Sequence, residues 1–115
     1  MFSLKWTEEA TAEYVRLRER AATALARRPS AGRRKTTRDE SLFKQVHKCI
    51  SLLADNPRHP GLQTHEFRSL EHPFSASEKV FEAYAQNNTP GAYRVFWCYG
   101  PAARQITILA ITPHP

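Results

Sequence analysis

An arginine sits inside one of the most apolar stretches of this chain, AYRVFWCY, and histidines and glutamates recur around it: His65 in HEFRSL, Glu82 in KVFEAY and His114 in the final ITPHP. Histidine exchanges protons near neutral pH, glutamate can serve as a base, and the planar arginine fork matches a phosphate or a carboxylate. Together these types can exchange protons and hold an anion. Arg94 is the anomaly, because a guanidinium in so apolar a strand is costly unless it reaches water, a carboxylate or a ligand. An ion pair with Glu82 across a hairpin is the structural alternative. Other chemistries lack their residues. Four glycines form no phosphate-cradling loop, and there is no nucleophile elbow and no pair of Cys-x-x-Cys knuckles. His47 and Cys49, two apart on a helix, point in different directions. No metal site and no cofactor are expected, and Cys49 and Cys98 read as small core residues.

These side chains need elements to position them. FSLKWT reads as a strand with Phe2, Leu4 and Trp6 on one face. Thr7 is a candidate N-cap, Glu8 and Glu9 suit a first helical turn, and Tyr14, Leu17, Ala21 and Leu25 repeat at helical spacing until about Arg28. A breaker cluster from Pro29 to Gly32 follows. Thr37 and Glu40 have capping-box spacing, and Leu42, Phe43, Val46, Cys49, Ile50 and Leu53 supply the apolar face of a second helix that ends before Pro57. Residues 64–70, 79–86, 92–99 and 105–112 read as strands separated by short turn-rich segments, which favours an antiparallel meander. The expected fold is α+β, in the order β-α-α-β-β-β-β: an antiparallel sheet of about four to five strands with a helical hairpin packed on one face. Residues 1–115 make a single domain.

Charge is placed unevenly on the 115 residues, whose net charge is +6. Residues 1–48 hold twelve Lys and Arg against six Asp and Glu, whereas 49–115 hold five of each sign. Arg27, Arg28, Arg33, Arg34, Lys35 and Arg38 crowd one segment, and Arg68 and Lys79 add basic groups beside the strands. Such a cluster attracts a polyanion through counterion release. No apolar run approaches the ~20 residues that span a bilayer, so no membrane partner is expected. Two cysteines without a disulfide framework fit a reducing compartment, and the cytoplasm is the expected location.

In order and spacing, LKWTEEATAEYVRL, NPRHPGLQTHEFRSL, GAYRVFWCYG and ITILAITPHP resemble the RelE/ParE superfamily of toxins from type II toxin-antitoxin systems. The likeness runs over nearly the whole chain and implies a RelE-like fold, with a cognate antitoxin as partner. It implies one of two activities, since RelE-like members cut mRNA on the ribosome and ParE-like members act on DNA gyrase. The Arg/His/Glu set and the basic patch favour the endoribonuclease. On that reading the resemblance makes Arg94 the arginine that holds the scissile phosphate and His114 the acid or charge stabiliser. It sets His65 where one nuclease branch has its glutamate base, and Glu82 is a second base candidate facing the same region. The basic first half would then dock ribosomal RNA. A non-catalytic nucleic-acid- or antitoxin-binding module, with Arg94 and His114 structural, is a reading from a third class.

Overall fold

Thr7 ends one element and begins the next. In the computed structural model, which describes residues 1–27, 36–86 and 91–113, its Oγ1 accepts from the Ala10 amide at 3.1 Å and caps helix α1 (Glu8–Ala26). The same hydroxyl donates to the Leu109 carbonyl at 2.7 Å and so ties that helix to the last strand. Leu109 is the extra residue of a bulge, because the pairing of the last two strands shifts between Phe96 and Trp97. α1 buries Ala10, Leu17 and Ala21. Leu25, expected in the same stripe, is exposed, since it lies in the last turn beside an open groove shared with Phe43 and Lys44.

Helix α2 (Arg38–Asp55) starts with the expected capping box: Thr37 Oγ1 accepts from the Glu40 amide at 3.2 Å, and Glu40 Oε2 accepts from the Thr37 amide at 3.0 Å. Thr37→Ala is expected to cost about 1 kcal/mol, read as a Tm lower by roughly 4 °C in thermal unfolding. An unchanged Tm would show that the cap contributes nothing. α2 buries Val46, Cys49, Ile50 and Leu53, and ends at Asn56 before Pro57.

Five strands form one sheet: β1 (Ser3–Trp6), β2 (His65–Glu66), β3 (Phe81–Tyr84), β4 (Tyr93–Tyr99) and β5 (Gln105–Pro113), in the spatial order β1-β5-β4-β3-β2. From β2 to β5 the sheet is the expected antiparallel meander. β1 departs from that expectation, pairing parallel to β5 with Leu4 opposite Ile106. Both helices and strands β2 to β4 lie between β1 and β5 in the chain, far more than the roughly dozen residues that parallel pairing requires. The sheet is therefore mixed. One face carries Ala83, Val95, Trp97, Ile106, Ile108 and Ile111 into a core closed by both helices.

β2 is shorter than the strand expected over 64–70. The Phe67 amide still donates to the Val80 carbonyl at 2.8 Å, but the Phe67 ring then packs on Phe96 with centroids 4.7 Å apart. Burying that ring draws the chain off the ladder. His72, 9% exposed, anchors the segment that follows. Its Nδ1 accepts from the Phe74 and Ser75 amides at 3.1 Å each, which leaves Nε2 to donate to the Tyr99 carbonyl at 2.9 Å. The connection of β4 to β5 turns at Gly100, whose φ of +101° strains any residue with a Cβ.

Candidate functional site

Strand alternation decides which side chains share a surface. Phe81, Ala83, Val95 and Trp97 enter or pack on the core, so Glu82, Tyr84, Arg94 and Phe96 lie on the face away from the helices. The register sets His65 opposite Glu82 and Tyr84 opposite Arg94. Three of the four expected catalytic residues therefore share one face. The fourth, His114, lies outside the described residues.

Glu82 is 2% exposed, and its Oε1 stands 2.6 Å from His65 Nε2. His65 Nδ1 lies 3.2 Å from the Gln63 carbonyl oxygen. Each ring nitrogen therefore faces an oxygen, the Glu82 carboxyl on one side and the Gln63 carbonyl on the other. The ring also meets Tyr84 edge-on, with centroids 5.5 Å apart at 87°. Even so, the His65 side chain keeps 46% of its surface exposed. The result is an accessible imidazole whose orientation is held from two sides, suited to giving a proton or opposing a negative charge.

Arg94 is placed differently from the expectation. Its side chain is fully buried, at 0% exposure. Nη1 donates to the Ala92 carbonyl at 3.1 Å and to the Tyr93 carbonyl at 3.4 Å, and Cζ stands 4.1 Å from the centre of the Tyr84 ring. A guanidinium without accessible surface touches no substrate in this arrangement. Its visible work is to hold Tyr84, the same ring that flanks His65. Tyr84 is the member of the cluster that sequence reasoning missed. The available signal was an aromatic two residues after Glu82, hence on the same face of a strand, in the hairpin partner of the arginine strand.

The basic residues do not form one patch among the described residues. Arg27 is exposed at the C-cap of α1, and Arg38 is exposed at the first position of α2. Arg28, Arg33, Arg34 and Lys35 lie outside the described residues. Arg68 and Lys79 both flank Glu66 beside β2, with closest approaches of 3.7 and 3.9 Å, and both stay exposed. Pairs this loose contribute about 0–1 kcal/mol and leave the cations available to an anion. On the helices, Arg20 pairs with Asp39 at 2.8 Å, and Arg16 pairs with Glu13. The hydrogen bond from Arg16 holds the Glu13 carboxyl below its ordinary range.

No three His, Cys, Asp or Glu side chains among the described residues gather as metal ligands. Both cysteines are free and buried, as expected of core residues. Burial pushes the Cys49 thiol up to about 12 and the Cys98 thiol up to about 11. A thiol reagent at pH 8 is therefore expected to label neither in the native protein and both in denaturant, since roughly one thiol in a thousand or fewer is ionised. Rapid native labelling would contradict this. The native thiols keep protons that the unfolded chain releases near 9.0, so their contribution to stability is lost as pH rises above that value.

No family model matches the sequence, and no curated protein does. Solved structures match over nearly the whole length. A YoeB/ParE toxin from Agrobacterium tumefaciens superimposes with a TM-score of 0.62 at 8% identity, covering 98% of this chain and 99% of that one. The toxin-antitoxin complex RelBE of E. coli gives 0.54 at 10% identity over 100% and 99%. A chromosomal ParDE system from P. aeruginosa gives 0.54 at 16% identity over 100% and 98%. Two helices beside a five-stranded mixed sheet, matched end to end with these structures, give this chain the fold of the RelE/ParE toxins.

Proposed function

We propose that the chain is a RelE-like toxin, an endoribonuclease that cuts mRNA on the ribosome, blocks translation and is neutralised by a cognate antitoxin in the cytoplasm. The observation that carries this reading is His65, accessible on the sheet face and oriented by the buried Glu82 carboxylate at 2.6 Å. Cleavage proceeds by attack of a 2′-OH on the adjacent phosphorus. The His65 imidazolium opposes the charge that develops and supplies a proton to the departing 5′-oxygen, and Glu82 holds it in place. With its carboxylate engaged and buried, Glu82 is a positioning residue rather than a free base. Arg94 acts through Tyr84, water takes up the proton of the attacking 2′-OH, and His114 stabilises the developing charge, the role that the resemblance implies for it. Arg68 and Lys79, beside His65 on the β2 side, steer the phosphate backbone. The RelBE and ParDE structures are of toxin-antitoxin systems, which supports an antitoxin partner here.

A second reading, a ParE-like toxin acting on DNA gyrase, is favoured by the complete burial of Arg94, which withdraws the phosphate-holding group that the nuclease resemblance implies. Induction of the chain in growing bacteria separates the two. The nuclease produces new 5′ ends within the codons of translated mRNA while DNA stays intact. Gyrase-dependent DNA breaks with intact mRNA would transfer the assignment to the second reading.

A further inference from the structure

A cavity of about 390 Å³ lies between α2, the segment 59–61 and the end of β3. Its size falls in the roughly 300–1,000 Å³ range of small-molecule sites. Leu52 and Ala85 give it an apolar side, and Gln45, Lys48, His59 and Tyr84 give it polar ones. Gln45 and Lys48 are exposed, so their polar ends are open to a ligand, and His59 and Tyr84 are half-buried.

The bonding partners of these groups settle which of them donate. The Tyr93 amide can only donate, and it donates to Gln86 Oε1 at 2.8 Å. That makes Gln86 Nε2 the donor to Gln45 Oε1 at 3.0 Å, and leaves the Gln45 side chain its NH2 group to offer. His59 Nδ1 accepts the Gly61 amide at 3.0 Å, so a neutral ring carries its proton on Nε2. Lys48 belongs to none of the ion pairs among the described residues. No Asp or Glu among them lines the cavity, and Cys49, which does, is a buried thiol. The walls thus offer a cation and hydrogen-bond donors but no anion. Their complement is an anion with several acceptor oxygens, which a phosphate is. The volume and the apolar side leave room for an uncharged group joined to it.

We propose that this cavity binds a phosphate ester. Lys48 and the Gln45 amide hold the phosphate, His59 adds a third donor, and Leu52 and Ala85 meet the uncharged part. Tyr84 joins the cavity to the site described above, since the His65 ring stands 5.5 Å from the Tyr84 ring between centroids. The ester belongs either to a small molecule or to an RNA strand that continues past His65. The RNA source rests on the nuclease reading, whereas the binding of phosphate does not.

The test is calorimetric titration of the full chain with adenosine 5′-monophosphate, adenosine, acetate, and a 2′-O-methyl oligoribonucleotide that has no terminal phosphate and no hydroxyl to attack. The monophosphate is expected to bind at one site per chain, and adenosine and acetate at least tenfold more weakly. Lys48→Gln should weaken the monophosphate about tenfold. Arg58→Gln removes the same charge from a residue outside the cavity lining and should leave binding unchanged. Gln45→Glu keeps an oxygen for Gln86 Nε2 and brings a carboxylate to the wall, so it should weaken the monophosphate at least tenfold. Tighter binding of the oligonucleotide, weakened by the same variants, supports an RNA strand as the source, and weaker binding supports a small ester. Adenosine or acetate binding as tightly as the monophosphate, equal losses in Lys48→Gln and Arg58→Gln, or no binding of any probe at millimolar concentration would overturn the proposal. Binding is read without cleavage, so its failure and that of the nuclease reading are told apart.

Discussion

Arg94→Ala is expected to lower the free energy of unfolding by about 3 kcal/mol, measured by urea denaturation. The guanidinium is wholly buried, donates to the Ala92 carbonyl, and covers the Tyr84 ring at 4.1 Å. Truncation removes those hydrogen bonds and the ring contact and leaves a void where the side chain lay. Arg94→Leu refills much of that volume without restoring the polar contacts, so it should cost less than alanine. A domain of this size has roughly 5–15 kcal/mol in all, so the alanine variant gives up a large share. Loss of toxicity in Arg94→Ala then reads first on folding and on the placement of Tyr84. An alanine variant as stable as the parent would show that the strand does not depend on this side chain.

The larger effect on activity is expected at position 65. His65→Gln keeps a donor within reach of the Glu82 carboxylate and removes the group that exchanges protons. It should lower the cleavage rate by roughly 10²- to 10⁴-fold, the usual contribution of one positioned proton-transfer group, with stability close to that of the parent. Glu82→Gln should do less, since the imidazole stays beside a neutral acceptor and loses only the charge that holds it. If cleavage fell further in Glu82→Gln than in His65→Gln, the roles of the pair would be reversed.

How much of this was legible in the sequence depends on how local each cause is. The capping box of Thr37 and Glu40 was readable because both residues belong to one helical turn. The faces of β3 and β4 were readable from alternation, so Glu82 fell on the correct side. The partner of β1 was not, because β1 joins β5 from the far end of the chain, and antiparallel order held only for the strands linked by short turns. The early end of β2 depended on Phe67 finding Phe96, a contact between distant segments. Arg94 was visible as an anomaly, but the burial that changes its role comes from Tyr84 and the strands around it. The pairing of His65 with Glu82 needed the register of a strand only two residues long.

The proposed cutting rests on an accessible imidazole, His65, held by the buried Glu82 carboxylate. Its direct test is purified ribosomes carrying a defined mRNA, incubated with the parent chain or with His65→Gln and mapped for new 5′ ends. Cuts by the parent and at least about a hundredfold fewer by the variant are expected, with the two proteins melting alike. Equal cutting by both, or none by the parent, would contradict it.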